Sequence, residues 1–332
     1  MKRVNLCFSG GRTSAYMCEI VLSLQRFGMW AGVEFIITFA NTGLEHIETL
    51  NFVHRCDQRW QRLYNVTVVW LEADVQSGKV PTLHKVVSFE TASRSGEPFE
   101  AVVSKYGIPN NNFLHCTREL KENPILSYMK SLGEKVGHYK NKKFVPASYS
   151  TWIGIRSDET KRLNGNKTGK QTKVYPLAGD LDVDRLHLSI RLSCDKQDVL
   201  SFWEGMRFDL QLPEHYGNCI DCHKKSLKKL KLVYHELGAA AFEVSNRLDQ
   251  NYSHISPQVI GDREIVRKRY RGYRNTNELI ALISNGAPES QNNTEESGTC
   301  SESCEPFMGA NKPELSDGEW IMENDIYGEQ RI

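Results

Sequence analysis

Long hydrophobic runs are missing from this sequence, and their absence argues against a membrane-spanning helix. No stretch approaches the roughly 18 to 20 apolar residues that a bilayer span requires. The first residues form a short strand-like segment without a small-residue cleavage site, so we expect no signal peptide. We therefore expect a cytoplasmic protein with no membrane partner, in which the nine cysteines do not build a disulfide framework. Free thiols, metal ligands and redox groups remain as roles for those cysteines.

Net charge is also nearly absent, but the two signs are unevenly distributed. The chain carries +1 overall, and its 39% hydrophobic and 25% charged residues are typical of globular proteins. From Ala287 onward there are 11 acidic and 2 basic residues without apolar periodicity, so we expect 287–332 to be a disordered acidic tail of low complexity. The preceding residues number 40 basic and 30 acidic. Such a body fits an anionic partner, a nucleotide or a nucleic acid, and is equally compatible with an ordinary basic surface.

Strand and helix patterns alternate at the start of the chain. Strand patterns cover 4–8, 33–39 and 66–71, and helical patterns cover 13–26 and 44–64. This alternation predicts parallel strands with right-handed crossovers, and hence an α/β fold with a doubly wound, mostly parallel sheet. Ligands bind such sheets beyond the carboxyl ends of the strands.

The remainder of the chain is less regular and shows no internal repeat. We expect a helix over 118–132 that is interrupted or begins near Pro124, a strand over 144–155, and helices near Asp184, near Asp195 and over 224–248. These patterns divide the chain into a nucleotide-binding α/β domain (1–180), a mainly helical region that completes a cysteine site and carries basic stretches (181–286), and the acidic tail (287–332).

The segment Ser9-Gly10-Gly11-Arg12-Thr13-Ser14 connects the first strand to the first helix. Glycines let main-chain N–H groups approach an anion closely, and a helix that begins there adds the positive end of its dipole. Ser9 and Ser14 add hydroxyl donors. The segment therefore predicts a phosphate-binding loop, although a tight strand-to-helix turn would also use glycines.

Three further segments follow this loop in a fixed order. They are Phe39-Ala40-Asn41-Thr42-Gly43-Leu44-Glu45 with Glu48-Thr49-Leu50, then Trp152-Ile153-Gly154-Ile155-Arg156-Ser157-Asp158-Glu159 with Arg162, then Tyr175-Pro176-Leu177 with Asp198-Val199-Leu200-Ser201-Phe202-Trp203. Together with the loop, they resemble the motifs of the PP-loop adenine nucleotide alpha-hydrolase superfamily, and in particular its phosphoadenosine-phosphosulfate (PAPS) reductase-like family. The resemblance covers roughly residues 4 to 225, with an insertion inside the last segment. It implies a Rossmann-like sheet of the HUP/PP-loop type.

The resemblance also implies roles for individual residues. The nucleotide, ATP or alternatively PAPS or adenylylsulfate (APS), would be bound by Ser9, Gly10, Gly11, Arg12, Thr13, Ser14, Asn41, Thr42, Gly43, Gly154 and Arg156. Arg156 and Lys121 would be catalytic and would stabilise charge on phosphate. A solvated charged loop is the alternative for Arg156 and its acidic neighbours. Thr13 stands where many ATP-cleaving relatives have Asp, so the need for Mg²⁺ and the cleavage chemistry stay open.

Cys116, Cys219 and Cys222 are the candidate metal ligands. A Cys-x-x-Cys pair alone fits zinc, an iron–sulfur cluster or a redox pair. Iron–sulfur members of the family carry Cys-Cys before a lysine-bearing helix and a later Cys-x-x-Cys, whereas this chain has Cys116-Thr117. The resemblance therefore implies a 4Fe-4S cluster held by three thiolates with one open iron, similar to that of cluster-dependent tRNA thiolation enzymes. A zinc site completed by His115 or His223, and unliganded thiols, are the alternatives.

The other cysteines have simpler interpretations. Cys7, Cys18 and Cys56 fall on apolar positions and are expected in the core. Cys194 lies between two expected helices and has no assigned role. Cys300 and Cys304 lie in the acidic tail, which lacks the Glu-Cys-Gly-Leu-His-like terminus of PAPS and APS reductases.

Two basic stretches contain interleaved apolar or aromatic residues. Lysines at 224, 225, 228, 229 and 231 alternate with leucines, and Arg267–Arg274 includes two tyrosines. Cations neutralise phosphates and aromatic rings stack on bases, so tRNA or DNA is a candidate partner. Solvated helix faces are the alternative.

These features together predict an ATP pyrophosphatase-type enzyme. It would adenylate a substrate, with nucleic acid as one candidate, for iron–sulfur-dependent sulfur transfer from a sulfur donor. One alternative is a sulfonucleotide reductase that acts on PAPS or APS with a thiol reductant. Another is a non-catalytic nucleotide-binding regulatory module. A homodimer is compatible with each of them.

Overall fold

The chain forms a mixed α/β structure around one six-stranded sheet. The computed structural model describes residues 2–110, 114–140, 142–163, 169–185, 188–255, 258–260, 263–265 and 274–285. In none of these segments is a helix long and apolar enough to cross a membrane.

The strands and helices alternate along much of the chain. The strands are β1 (Lys2–Cys7), β2 (Val33–Ala40), β3 (Val68–Asp74), β4 (Leu83–Val87), β5 (His138–Lys140), β6 (Lys143–Val145), β7 (Ser150–Ile153), β8 (Thr172–Val174), β9 (Ala178–Arg185), β10 (Leu188–Ser193), β11 (Gln258–Ile260) and β12 (Arg263–Ile265). The helices are α1 (Arg12–Arg26), α2 (Ile47–Tyr64), α3 (Glu97–Tyr106), α4 (His115–Thr117), α5 (Asn123–Ser131), α6 (Thr160–Leu163), α7 (Lys196–Glu204), α8 (Leu227–Leu237), α9 (Glu243–Tyr252) and α10 (Thr276–Ser284). A π-helical turn covers Arg118–Glu122, and 3-10 turns cover Glu214–Tyr216 and Gly238–Phe242.

The central sheet is mostly parallel. Its spatial order is β4-β3-β2-β1-β7-β8, and only the β3–β4 pair is antiparallel. In the middle of the sheet, Leu6 of β1 pairs with Ile37 of β2 on one side and with Trp152 of β7 on the other. Since β1, β2 and β7 run in the same direction, the loops that follow them meet at one edge of the sheet.

Helices cover both faces of the sheet. Side chains alternate between faces along a strand, so Leu6 and Ile37 join one hydrophobic cluster and Cys7 another. The first cluster also contains side chains from α1, α2 and α7, including the buried Trp203. The second contains α5 side chains such as Met129. The core therefore has two layers, one on each side of β1 and β2.

The expected strands and helices at the start of the chain are confirmed. β1, β2 and β3 lie where strand patterns were expected, and α1 and α2 lie between them. α2 begins at Ile47 rather than Leu44, because His46 is its N-cap and its side chain accepts from the Glu48 N–H. Residues 41–46 are thereby left outside the helix to form a loop.

Three expectations for the middle and end of the chain need correction. The segment near Asp184 is not helical: β9 and β10 form an antiparallel hairpin there, which fits the alternation in Leu181-Asp182-Val183-Asp184. The strand expected over 144–155 is divided into β6 and β7, with Pro146 between them.

The helix expected over 118–132 is confirmed with its break near Pro124, whereas the long helix expected over 224–248 is made of separate pieces. Over 118–132, the π-helical turn precedes α5, which begins at Asn123 with Pro124 in its first turn. Over 224–248, α8 ends before Gly238, whose φ of +68° suits glycine, and α9 starts after a 3-10 turn. The helix expected near Asp195 is confirmed as α7, with Asp195 as its N-cap. The tail 287–332 with Cys300 and Cys304, and most of the basic stretch 267–274, lie outside the described residues.

Candidate nucleotide and thiol site

The phosphate-loop candidate lies directly after β1, at the carboxyl edge of the sheet. Gly10 has φ of +82°, and a Cβ there would stand 2.7 Å from Thr49 Cγ2, so only glycine fits. Gly11 is the N-cap of α1 and makes no side-chain cap, and no acidic residue occupies the first turn of the helix. The main-chain N–H groups of this first turn are thus free of a competing carboxylate from their own turn.

Ser14 fixes the shape of this loop from within. Its Oγ accepts from the Ser9 N–H at 3.1 Å, lies 3.0 Å from Ser9 Oγ and donates to the Gly11 carbonyl at 3.0 Å. Ser14 is buried, whereas Ser9 is partly exposed. Ser14 therefore holds the loop closed, and Ser9 is the hydroxyl at the accessible side.

The Arg12 side chain is engaged away from the loop. Its Nε and Nη2 donate to the two carboxylate oxygens of Asp209 at 2.7 and 2.8 Å, and Nη2 also donates to the Leu210 carbonyl. Trp203 Nε1 donates to the Arg12 carbonyl at 3.0 Å. These contacts anchor the start of α1 to α7 and to the segment that follows it, so the guanidinium has a structural partner.

The loop after β7 packs directly on the phosphate loop. A Cβ at Gly154 would lie 2.7 Å from Ser14 Cα and 3.0 Å from Ser14 N, so a glycine is needed for this approach. Two residues later, the Arg156 side chain is only 6% exposed. Its Nη1 donates to Thr13 Oγ1 at 3.2 Å, which joins the expected anion clamp to the phosphate loop.

Acidic neighbours surround Arg156. Asp158 accepts from Nε at 2.8 Å and from Nη2 at 3.2 Å, and Glu159 Oε2 lies 3.7 Å from Nη1. Glu159 also accepts the Arg156 N–H at 3.0 Å and pairs with Arg162 at 2.5 Å. The alternative of a solvated charged loop therefore does not describe Arg156, because the structure buries it within a defined ion-pair network.

The loop after β2 is held by its own side chains. Asn41 is fully buried, donates to Glu72 Oε1 at 2.8 Å and to the Ser93 carbonyl at 2.9 Å, and accepts from the Gly43 N–H at 3.2 Å. Thr42 donates to the Glu45 carboxylate through both its N–H and its hydroxyl. Gly43 has φ of +79° and leaves no room for a Cβ beside Ser93 Oγ. Asn41 is thus a residue that positions the loop.

The Cys-x-x-Cys turn docks onto that same loop. Cys219 forms an isolated antiparallel bridge with Glu45, and the Ile220 N–H donates to the Leu44 carbonyl at 3.2 Å. Cys219 Sγ lies 3.6 Å from Thr42 Oγ1. The Cys222 N–H donates to the Cys219 carbonyl at 3.2 Å, which closes the turn. The predicted thiols are thereby brought to the edge of the sheet that carries the phosphate loop.

Cys116 and Lys121 approach this turn from the α4 segment. Cys116 is buried in a hydrophobic cluster against which Cys219 packs. Lys121 lies on the π-helical turn, is buried, and is close enough to Cys219 to favour its thiolate. The pKa of the Cys219 thiol is nevertheless raised above its ordinary value. Burial is the main cause and the negative charge of Glu45 the second, and together they outweigh the effect of Lys121.

A buried carboxylate stabilises the π-helical turn. Glu119 accepts from Thr82 Oγ1 at 2.5 Å, from Arg118 Nε at 2.7 Å and from Asn123 Nδ2 at 3.0 Å. Burial alone would raise the pKa of Glu119, but Arg118 and these donors hold it below its ordinary value. The turn that presents Lys121 is therefore anchored by a charged, fully engaged side chain.

The three candidate cysteines reach one region from two chain segments. Cys116 and Cys219 share a cluster, and Cys222 adjoins Cys219 through the turn. Across the residues that the structure describes, no group of three His, Cys, Asp or Glu side chains is arranged to hold a single metal ion. Ligands of an iron–sulfur cluster bind different irons and so do not converge on one point.

The four other cysteines of the described segments are buried side chains. Cys7, Cys18 and Cys56 are buried in the core as expected, and burial raises the pKa of Cys18 and Cys56. Cys194 is also buried, and its carbonyl accepts from Ser157.

The basic face expected around residue 224 needs correction at Lys225. This side chain is only 2% exposed, and its Nζ donates to the carbonyls of His215 and Ile220 beneath the cysteine turn. On α8, Leu230 and Val233 are buried, whereas Lys228 is exposed and Leu227 is exposed rather than in the core. The lysine face is therefore smaller than the sequence pattern indicates.

Sequence reasoning missed three acidic residues that organise the site. Asp209 binds Arg12, Glu45 binds both Thr42 and the cysteine turn, and Glu119 anchors the π-helical turn. Only Glu45 had a signal in the sequence, because it lies in the segment that begins with Asn41. The other two depend on contacts that no local pattern reports.

One protein of known source is similar to nearly the whole chain. It is the uncharacterized nin region protein ORF290 of Escherichia phage lambda, 31% identical over 309 residues, which are 91% of this chain and 94% of that protein. No family model matches the chain.

Proposed function

Because the chain belongs to the family of the phage lambda nin region protein ORF290, whose name states no activity, we propose a function from the site itself. We propose that the protein is a PP-loop enzyme that binds ATP at residues 9–14 and adenylates a substrate for thiol-dependent sulfur transfer. The proposal includes a doubly wound, Rossmann-like sheet and a cytoplasmic location. Helices on both faces of the parallel strands support that form of the sheet.

One observation carries the proposal: the phosphate-loop candidate and the cysteine turn lie at the same edge of the sheet. β1 and β2 are parallel neighbours, and the turn at Cys219 is bridged to Glu45 in the loop after β2. A nucleotide held by the loop after β1 would therefore have thiols beside it. Neither a tight structural turn nor a structural zinc knot requires that proximity.

The residues at the nucleotide end have defined tasks in this proposal. The main-chain N–H groups after Gly10 and Gly11 bind phosphate oxygens, with the positive end of α1 behind them. Ser9 donates its hydroxyl. Arg156, tied to Thr13, neutralises charge on a phosphate in the plane of its guanidinium group.

The reaction then has two balanced steps. A substrate oxygen attacks the α-phosphorus of ATP, the bond to pyrophosphate breaks, and pyrophosphate leaves with its electron pair. A sulfur nucleophile from the donor then attacks the activated carbon, and AMP leaves with the former substrate oxygen. Arg156 stabilises the charge that develops on phosphate in the first step, and buried Lys121 provides positive charge beside the thiols.

The thiol end would be completed by a cofactor. Cys116, Cys219 and Cys222 would hold a 4Fe-4S cluster, which supplies an open iron for a sulfide when it is bound. The chain itself positions the turn that carries Cys219 and Cys222 by the Glu45 bridge and the Lys225 hydrogen bonds. Zinc at the same thiols would leave the nucleotide end of the proposal intact and remove the sulfur-transfer end.

The direct test measures ATP conversion by anaerobically purified protein with tRNA, DNA or small acceptors. We expect AMP and pyrophosphate in equal amounts, and about four irons and four acid-labile sulfides per chain. Arg156→Gln should abolish AMP formation and keep the iron. Cys219→Ser should lose the iron and keep ATP binding, whereas the control Cys194→Ala, a buried cysteine that is not among the proposed ligands and whose main-chain contact to Ser157 is kept, should keep both.

Other outcomes would overturn the proposal in favour of a stated alternative. Sulfite release from PAPS or APS with thioredoxin, without ATP cleavage, would establish a reductase. Tight nucleotide binding without any product would establish a regulatory module. Binding of neither ATP nor PAPS would contradict the nucleotide site itself.

Among the acceptors to be tested, the proposal favours a nucleic acid, because a lysine-bearing helix follows the cysteine turn in the chain. Lys228 is exposed and Lys231 partly exposed on α8, on the side away from buried Leu230 and Val233. Each lysine that contacts a phosphate should contribute a salt-dependence slope of roughly 0.7 to 0.9. Lys228→Gln should therefore lower the slope of tRNA or DNA binding against salt by about that amount. An unchanged slope would remove α8 from the interface.

A further inference from the structure

Arg156 has two carboxylate partners that play different parts. Asp158 takes the Nε–Nη2 edge of the guanidinium at 2.8 and 3.2 Å, which is the bidentate geometry. Glu159 stands beside Nη1 at 3.7 Å. Nη1 also donates to Thr13 Oγ1 in the phosphate loop at 3.2 Å. The edge that best matches a phosphate or sulfate group is therefore the one that Asp158 holds.

The two carboxylates also differ in how firmly they are fixed. Glu159 is 6% exposed and is held by the Arg156 N–H and by Arg162, so its removal would disturb the main chain. The Asp158 side chain is 42% exposed, and its contacts in the described part of the chain go to Arg156. Asp158 is thus the partner that can turn into solvent without breaking another contact.

The energetics favour an exchange at this edge. Leaving buried Arg156 without an anion is costly, but replacing one anion by another preserves its compensation. The half-exposed Asp158 carboxylate can leave the pair at small cost to itself, because water solvates it well. A tetrahedral oxyanion with two oxygens toward Nε and Nη2 restores both hydrogen bonds.

From this geometry we propose that Asp158 is a displaceable carboxylate that competes with a phosphate or sulfate group of the bound nucleotide for the Nε–Nη2 edge of Arg156. The inference rests on the proposed nucleotide site, and it adds a residue that sets affinity there. Ligands with a tetrahedral oxyanion at that position displace Asp158. Uncharged nucleosides leave it in place, so the ion pair selects for anionic nucleotides that bind strongly enough to replace it.

The experiment compares ATP and adenosine binding to the full chain by calorimetry. Asp158→Asn removes the competing charge and keeps the size of the side chain, so ATP should bind about two- to fivefold more tightly. Adenosine affinity should stay unchanged, a result that a merely structural role for Asp158 would not give. Asp195→Asn is the matched control, because it removes an equal charge next to Cys194, which contacts Ser157, and Asn still caps α7.

Each outcome decides the proposal. Tighter ATP binding in Asp158→Asn than in Asp195→Asn, with adenosine unaffected, supports it. Equal or weaker ATP binding in Asp158→Asn, in protein that unfolds at the wild-type temperature, overturns it while the nucleotide site stands. If Asp158→Asn does not fold, Asp158→Ser is measured with the same expectation. If the wild type itself binds no ATP, both the proposed function and this inference are wrong.

Discussion

Replacing Gly154 by alanine should separate the β7 loop from the phosphate loop. The new Cβ would lie 2.7 Å from Ser14 Cα, 3.0 Å from Ser14 N and 3.1 Å from the Thr13 carbonyl, and ordinary contact begins at 3.4 Å. The obstructing atoms are all main chain, so no side chain can turn aside. The two segments must therefore move apart by about 0.7 Å.

The cost of that movement falls mainly on the site. Overpacking of this kind costs about 1 to 3 kcal/mol of stability, which a domain of this size can tolerate. Arg156 is attached two residues beyond Gly154 and donates to Thr13 at 3.2 Å, so a shift of this size breaks that contact. Misplacement of a binding group by about 1 Å lowers activity by on the order of a hundredfold.

The assay measures urea unfolding and ATP affinity on the same preparations. Gly205→Ala is the control, because its nearest atoms are 3.6 and 3.7 Å from the new Cβ and its backbone is helical. We expect Gly154→Ala to remain folded and to lose at least tenfold in ATP affinity, whereas Gly205→Ala keeps wild-type affinity. A folded Gly154→Ala protein with wild-type affinity would refute the reasoning that this contact positions Arg156.

Three more predictions concern side chains near the site. Burial lowers the pKa of His46, so its capping contribution of about 1 kcal/mol is complete above about pH 6.5 and is lost as the pH falls through the lowered pKa. His46→Asn keeps an acceptor, so the free energy of unfolding in urea should depend less on pH between about pH 7.5 and 5 than in the wild type. An unchanged pH dependence would contradict this. Glu19→Gln should cost about 3 kcal/mol by urea unfolding, since it leaves Arg59 without its buried carboxylate, and a loss below about 1 kcal/mol would show that water compensates that charge. Arg12→Gln should cost about 1 kcal/mol or less, because its pair with Asp209 is partly exposed, and should change ATP affinity less than about threefold; a tenfold loss would show that Arg12 contacts the nucleotide.

The early part of the fold could be read from the sequence because its signals are local. Strand patterns and helical periodicity alternate from Val4 to Leu71, and each of the five elements there appears in the structure. Gly10 and Gly43 could be assigned to loops because glycine, which has no Cβ, adopts positive φ without steric cost. The hairpin of β9 and β10 was missed because its alternating Leu and Asp residues were given a helical interpretation.

The contacts that complete the site could not be read in the same way. Arg12 and Asp209 are 197 positions apart, and nothing near either residue identifies the other. Lys225 looks like its neighbours in a lysine-rich segment, yet the fold closes the cysteine turn over it. Burial of a charged side chain depends on carbonyls supplied by distant segments, and a composition pattern averages over such cases.

The bridge between Glu45 and Cys219 has a consequence for biosynthesis. These residues are 174 positions apart, so a ribosome adding about 5 to 20 residues per second needs roughly 9 to 35 s to deliver Cys219 after Glu45. Strands β1 and β2 can pair during that interval, but the loop after β2 lacks the cysteine turn that bridges to it. A chain interrupted before Cys219 would already contain Cys116 and the phosphate-loop segment, and it would lack the turn that brings thiols to them. Assembly of the two ends of the site is thus postponed until most of the polypeptide has left the exit tunnel, and prematurely terminated chains cannot form the complete thiol set.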